Sequence, residues 1–94
     1  MFLITLRYNQ PMSQVTALQE DHINWLKTYF AEGIFIAAGR KIPRTGGVIL
    51  ARSMARDELE RILAEDPFTA VADYDITEFM PTLTDERVAA LMTL

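Results

Sequence analysis

Residues 13–32, SQVTALQEDHINWLKTYFAE, decide the fold because they read as one long amphipathic helix. Val15, Leu18, Trp25 and Tyr29 fall on one stripe at alternating three- and four-residue spacings, as a core-facing helical surface requires. The remaining position of that stripe is His22, the only histidine in the chain. It stands where the periodicity asks for an apolar side chain. Either it is a buried histidine with a structural partner, or it looks into a cavity. Ser13 is a candidate N-cap, and Thr16 with Gln19 fits a capping box one turn later. Gly33 then ends the helix, since glycine accepts a left-handed backbone cheaply.

Outward from this helix the chain alternates cleanly. Before it, Phe2, Ile4, Leu6 and Tyr8 share one face of a strand, and Leu3, Thr5 and Arg7 share the other. Asn9-Gln10-Pro11 breaks that strand. After the helix, Ile34–Gly39 is short and apolar on both faces, which suits a second strand. Arg40–Thr45 is a basic loop containing Pro43, and Gly46-Gly47 opens a third strand, Val48–Arg52, antiparallel to the second. Ser53 is placed to cap a second helix with Leu59, Ile62 and Leu63 as its buried face. Glu65-Asp66-Pro67 stops it, because a residue before proline is pushed out of helical geometry. Asp66 extends this helix's apolar stripe rather than its wet face. A fourth strand runs from about Ala72 to Met80, with Tyr74 and Ile76 on one face and Phe79 on the other. Thr84 is placed to cap a last short helix with Val88, Leu91 and Met92 on its apolar side.

The order strand–helix–strand–strand–helix–strand predicts a single α+β domain over residues 1–94. Its architecture is a ferredoxin-like βαββαβ sandwich with both helices on one face of an antiparallel sheet and a short C-terminal helix appended. Leu3, Phe35, Ile49 and Phe79 are assigned to the uncovered face. An apolar face needs a cover, so a homodimer packed face to face is expected, with the C-terminal helix folding over its own sheet as the alternative.

Composition narrows the function. Half of the 94 residues are hydrophobic and 23% are charged, as in ordinary globular proteins. Thirteen acidic residues against nine basic ones give a net charge of −4, which argues against nucleic acid as a partner. There is no cysteine, which removes disulfides, thiolate metal sites and cysteine nucleophiles. No segment resembles a secretory signal or a membrane span, so a soluble cytoplasmic protein is expected. One histidine without cysteines makes a poor transition-metal site, and no cofactor is expected; a single-histidine haem site is a remote option. Gly46-Gly47 reads as a turn rather than a phosphate cradle.

Three features together resemble the YciI-like (YCII-related) family of small bacterial proteins. They are the helical Asp21-His22-Ile23-Asn24-Trp25-Leu26, the glycine-bounded hairpin, and Glu65-Asp66-Pro67-Phe68 ahead of the last strand. That family is similar to other dimeric α+β barrels, such as muconolactone isomerases and quinol monooxygenases. The resemblance runs from about Phe2 to Pro81 and leaves the last helix outside. It implies that His22 and Asp66 form a histidine–aspartate pair in a pocket. The chain departs from the family at two places. Gly39-Arg40-Lys41 stands where Gly-Pro is frequent, and Leu18-Gln19-Glu20-Asp21 where an arginine is frequent.

The resemblance further implies a small-molecule enzyme. An imidazole both takes and gives a proton near neutrality, and a carboxylate on its other nitrogen fixes its tautomer. Such a pair suits a cofactor-independent lyase or isomerase, for instance a dehydrochlorinase or a muconolactone-isomerase-like enzyme. The alternatives are a hydrogen-bonded pair that satisfies two core groups, or a non-catalytic ligand-binding or assembly module. Candidate substrate contacts are Arg7, Tyr8 and Arg44, although a solvated loop is the ordinary role for Arg40, Lys41 and Arg44. Simple geometry does not bring the pair together. At ~1.5 Å per residue, His22 lies roughly 9–14 Å into its helix and Asp66 about 20 Å past Ser53, a mismatch of about one or two turns.

Overall fold

Alternation along Phe2–Tyr8 puts Phe2, Ile4, Leu6 and Tyr8 on one side, and strand β1 forms over Phe2–Tyr8 in the computed structural model, which describes residues 1–94. The remaining elements are α1 (Met12–Ala31), β2 (Phe35–Arg40), β3 (Gly46–Ala51), α2 (Arg56–Ala64), a 3₁₀ turn (Pro67–Ala70), β4 (Ala72–Glu78) and a 3₁₀ segment (Glu86–Met92). The sheet order is β2-β3-β1-β4 with every pair antiparallel. This is the ferredoxin-like arrangement.

Strand β1 is central, so its inner face is sealed from both sides. Ile4 lies opposite Ile49 on β3 and Ile76 on β4. Phe2, Ile4 and Leu6 are at most 2% exposed, each burial stabilising by ~1.5–3 kcal/mol. Helix α1 closes this core with Val15 and Trp25, and α2 with Leu59, Ile62 and Leu63. The Trp25 indole Nε1–H donates to the carbonyl of Ile62 at 3.1 Å, tying the two helices together. A second tie joins their C-terminal ends, where the Tyr29 hydroxyl donates to Glu65 Oε1 at 2.5 Å. That hydrogen bond, more than the desolvation and the Glu65 charge, holds the Tyr29 phenol up at about 12.

Three expectations need correction. Phe35 and Ile49 lie on the inner face, not the uncovered one: Phe35 pairs with Ala51, which pairs with Phe2, and Ile49 pairs with Ile4. A strand that is apolar on both faces carries no face signal, and the register shift between Phe35 and Ala37 moves the later residues of β2 by one place. Leu3 and Phe79 do remain exposed, at 36% and 42%. Neither long helix has a side-chain cap. Pro11 and Ala55 occupy the N-cap positions, in place of Ser13 or Thr16 and of Ser53. The C-terminal segment is 3₁₀, kinked at Val88, capped by Asp85 instead of Thr84, and buries none of its residues.

Two glycines are required by geometry. Gly33 has φ +74° and turns the chain from α1 into β2. At Gly46 an added Cβ would stand 1.7 Å from the carbonyl oxygen of Leu6. Because both sides of that contact are paired backbone, Gly46→Ala is expected to destabilise by about 3 kcal/mol in urea unfolding. A loss under ~0.5 kcal/mol would contradict so close an approach of β3 to β1.

Candidate active site

Gln19, His22, Ile23 and Leu26 follow the i, i+3, i+4, i+7 rule and share one side of α1. That side overhangs the inner face of the sheet at the β2–β3 hairpin, where Gly39, Gly46 and Gly47 line the gap with backbone. A solvent-connected cavity of about 280 Å³ results, at the small end of ligand pockets. Leu6 and Ile49 contribute from the sheet, and Tyr8, Arg40, Arg44 and Phe68 also line it.

The histidine of the stripe looks into this cavity and also has a structural partner. His22 Nδ1 lies 2.7 Å from Asp66 Oδ1. The same oxygen accepts the Phe68 backbone N–H at 2.9 Å, and the Tyr74 hydroxyl donates to Oδ2. Asp66 is therefore the N-cap of the 3₁₀ turn rather than the last member of the α2 stripe, with its side chain fully buried. A carboxylate can only accept, so the hydrogen sits on Nδ1 and the neutral ring keeps its lone pair on Nε2. No protein group pairs with Nε2, and the His22 side chain remains 13% exposed. The ring lies flat on Phe68, with centroids 3.8 Å apart and planes 4° from parallel.

The turn following α2 removes the mismatch expected from helix lengths. Pro67 starts the 3₁₀ turn, which packs against α1 and lays Phe68 on His22. Asp66 arrives beside the ring from the chain between α2 and β4, not from a helix.

Tyr74 is a participant that periodicity placed only in the core. It lies opposite Leu6, on the inner face. A tyrosine there needs a partner for its hydroxyl, and the strand leads directly away from Asp66, which is the signal that marks it. Burial foremost, then the hydrogen bond and charge of Asp66, pushes the Tyr74 hydroxyl far above the ordinary phenol range, so it stays a donor.

The other candidates divide. Tyr8 lines the cavity and meets Phe68 edge-on at 6.0 Å. Arg44 also lines it, its Nη2 donating to Gln19 Oε1 at 2.9 Å. Arg7 does not reach the cavity. The alternation that sends Leu6 and Tyr8 inward sends Arg7 outward, where its Nη2 lies 3.7 Å from Asp75 on the exposed face. No three His, Cys, Asp or Glu side chains come together as metal ligands, and no helix is long and apolar enough to cross a membrane.

The sequence matches the YCII-related domain over residues 1–80. The chain belongs to the YCII-related family. His22, Asp66 and Tyr74 all fall within the matched part, and the C-terminal 3₁₀ segment falls outside it. No curated relative matches the sequence. Among solved structures the chain is similar to 5-chloro-2-hydroxyhydroquinone dehydrochlorinase from Burkholderia phenoliruptrix AC1100, determined in complex with 2,5-dihydroxybenzoquinone. The TM-score is 0.65 at 18% identity, covering 84% of this YCII-related chain and 93% of the dehydrochlorinase. The shared feature is the fold.

Proposed function

We propose that this YCII-related protein is a cofactor-independent lyase or isomerase acting on a small cyclic or enolisable compound, with His22 as the general acid/base. The observation that carries this reading is a histidine with one nitrogen locked onto a buried carboxylate and the other unpaired beside a cavity. Asp66 is the positioning residue, and Tyr74 and the Phe68 amide hold Asp66 in turn. In an elimination, Nε2 takes a proton from the substrate, that bond's electron pair forms the new double bond, and chloride leaves with its own pair. Hydrogen chloride is lost in net and no electron acceptor is needed. In an isomerisation the same nitrogen returns the proton at another carbon.

The dehydrochlorinase of similar fold supplies the first compound to try, 5-chloro-2-hydroxyhydroquinone. Chloride release by the wild type, absent with a His22→Asn variant, supports the reading. Saturable binding with the compound recovered unaltered, across a panel of enolisable lactones and halogenated quinols, favours a non-catalytic binding module instead. That second reading draws on the burial of the pair, which also satisfies core polar groups.

The same proposal treats residues 1–94 as one cytoplasmic domain that pairs with a second copy through the outer sheet face. Leu3, half-buried Val48 and Leu50, and exposed Ala37 lie together on that face and are not covered by the C-terminal segment. Light scattering is expected to give about twice the chain mass of 10.7 kDa. A monomer mass at micromolar concentration removes the dimer from the proposal.

A further inference from the structure

We infer that Arg44, held by Gln19, makes this cavity selective for small planar organic anions, the charge residing on a carboxylate or on an enolate or phenolate oxygen. Arg44 stands in the loop between β2 and β3, where a solvated side chain is the ordinary outcome. Instead its Nη2 is bound by Gln19 Oε1 at 2.9 Å, and its Nε is buried with no hydrogen-bond partner. It is the only buried side-chain nitrogen or oxygen in the protein left in that state. Buried donors are normally satisfied, and an orphan calls for an explanation. Arg44 lines the cavity, and a modest turn of its guanidinium offers the buried Nε–H to a ligand bound there.

The chemistry of that partner follows from the surroundings. A guanidinium carries five N–H groups in a planar fork, of which Gln19 engages one nitrogen. An Nε–H beside an Nη–H matches the two oxygens of a carboxylate, or one enolate oxygen with its neighbour. Arg40 adds a second positive charge to the lining, and no aspartate or glutamate lines the cavity. The nearest site carboxylate, Asp66, has no exposed side-chain surface and is already engaged by three donors. The protein carries a net charge of −4, yet this recess presents cations only. Phe68 and Tyr8 add aromatic walls, which suit a flat ligand.

Gln19 precedes His22 by one helical turn, so the hydrogen bond from Arg44 fixes the guanidinium to the same side of α1 as the imidazole. An anion bound by Arg44 is thereby presented to the Nε2 side of His22. This inference deepens the proposed site and rests on the cavity taking a small molecule, but not on its being catalytic.

The test uses two pairs of probes of matched shape: benzoate against benzamide, and 4-nitrophenolate against 4-nitroaniline. Binding is followed by calorimetry and by the NMR shifts of His22 and Phe68. Wild type is expected to bind the anion of at least one pair tighter by roughly 10- to 100-fold, the range of a charge-assisted hydrogen bond. The pair that shows the preference tells which oxygen is read. Arg44→Gln should erase the preference, and Arg44→Lys should retain only part of it, because the ammonium keeps charge without the fork. Gln19→Leu should weaken anion binding and leave the neutral probes unchanged. His22→Gln, which stops turnover if the proposed chemistry is right, should keep the anion preference. Equal binding of anion and neutral probe in both pairs overturns the inference. So does an unchanged preference in a folded Arg44→Gln protein, or no saturable anion binding up to ~10 mM. A preference that depends on Arg44 in a protein without turnover upholds this inference while refuting the enzymatic reading.

Discussion

Replacing Asp66 with alanine is expected to destabilise the protein by about 3–5 kcal/mol, the cost of removing one partner from a buried charged network. Three donors converge on this carboxylate: His22 Nδ1, the Phe68 amide and the Tyr74 hydroxyl. None has another hydrogen-bond partner within the protein. The Tyr74 hydroxyl, half-buried and bonded only to Asp66, is left without its acceptor. Thermal unfolding should show Tm falling by ~10 °C or more. Asp66→Asn separates the two contributions of the residue. It keeps the shape and one acceptor oxygen, so the stability loss should shrink to about 1–2 kcal/mol. The amide oxygen, toward which Nδ1 and the Phe68 N–H both point, keeps the hydrogen on Nδ1, but the charge that stabilises the imidazolium formed when Nε2 takes a proton is gone. The ¹⁵N pattern should therefore persist while turnover falls on the order of 10²–10⁴-fold. Stability within ~0.5 kcal/mol of wild type for Asp66→Ala would mean that the carboxylate organises nothing.

The element order was legible in the sequence because it depends on local periodicity and local breakers. Period-two alternation in Phe2–Tyr8 gave both strand and face correctly, since one face is wholly apolar and the other is not. Gly33 and Pro67 marked ends that a left-handed backbone and a missing N–H enforce. What the sequence misassigned depends on pairing. The faces of Phe35 and Ile49 follow from a bulge and from registers to β3 and β1, and no residue of β2 encodes them alone. The caps failed for a related reason. Ser13, Thr16 and Ser53 have the right chemistry, but the chain reaches each helix through Pro11 or Ala55 with extended backbone, and those residues take the cap position.

The site was half legible. His22 stood out as a polar interruption in an apolar stripe, and the resemblance to the YCII-related family tied it to Asp66. Rise per residue argued against the contact because it treated Asp66 as the end of a straight helix. The chain leaves α2 at Ala64, and the 3₁₀ turn carries Asp66 across to α1. Tyr74 reads from sequence as a core residue and Gln19 as the capping-box partner of Thr16, so neither stands out as part of the site. Only the tertiary structure shows that one buttresses the carboxylate and the other holds Arg44.

An equally large functional effect is expected at His22 itself, where asparagine should cost on the order of 10²–10⁴-fold in turnover and only about 1–2 kcal/mol in stability. The imbalance arises from geometry. The Nδ1 side of the ring does structural work that an amide N–H can partly reproduce toward Asp66, and the stacking on Phe68 is lost in either case. The Nε2 side has no protein partner to lose, so its removal is nearly silent for folding and decisive for proton transfer. Unfolding in urea and the rate of chloride release are then measured on the same preparations. A purely structural pair predicts the opposite ratio, with a stability loss near that of Asp66→Ala and unchanged rates in whatever protein stays folded. Rescue gives an independent check. His22→Ala opens a space on Phe68 into which free imidazole can enter, and added imidazole should restore part of the rate if Nε2 transfers the proton. Turnover by His22→Asn at the wild-type rate would end the acid/base assignment, whatever the stability shows.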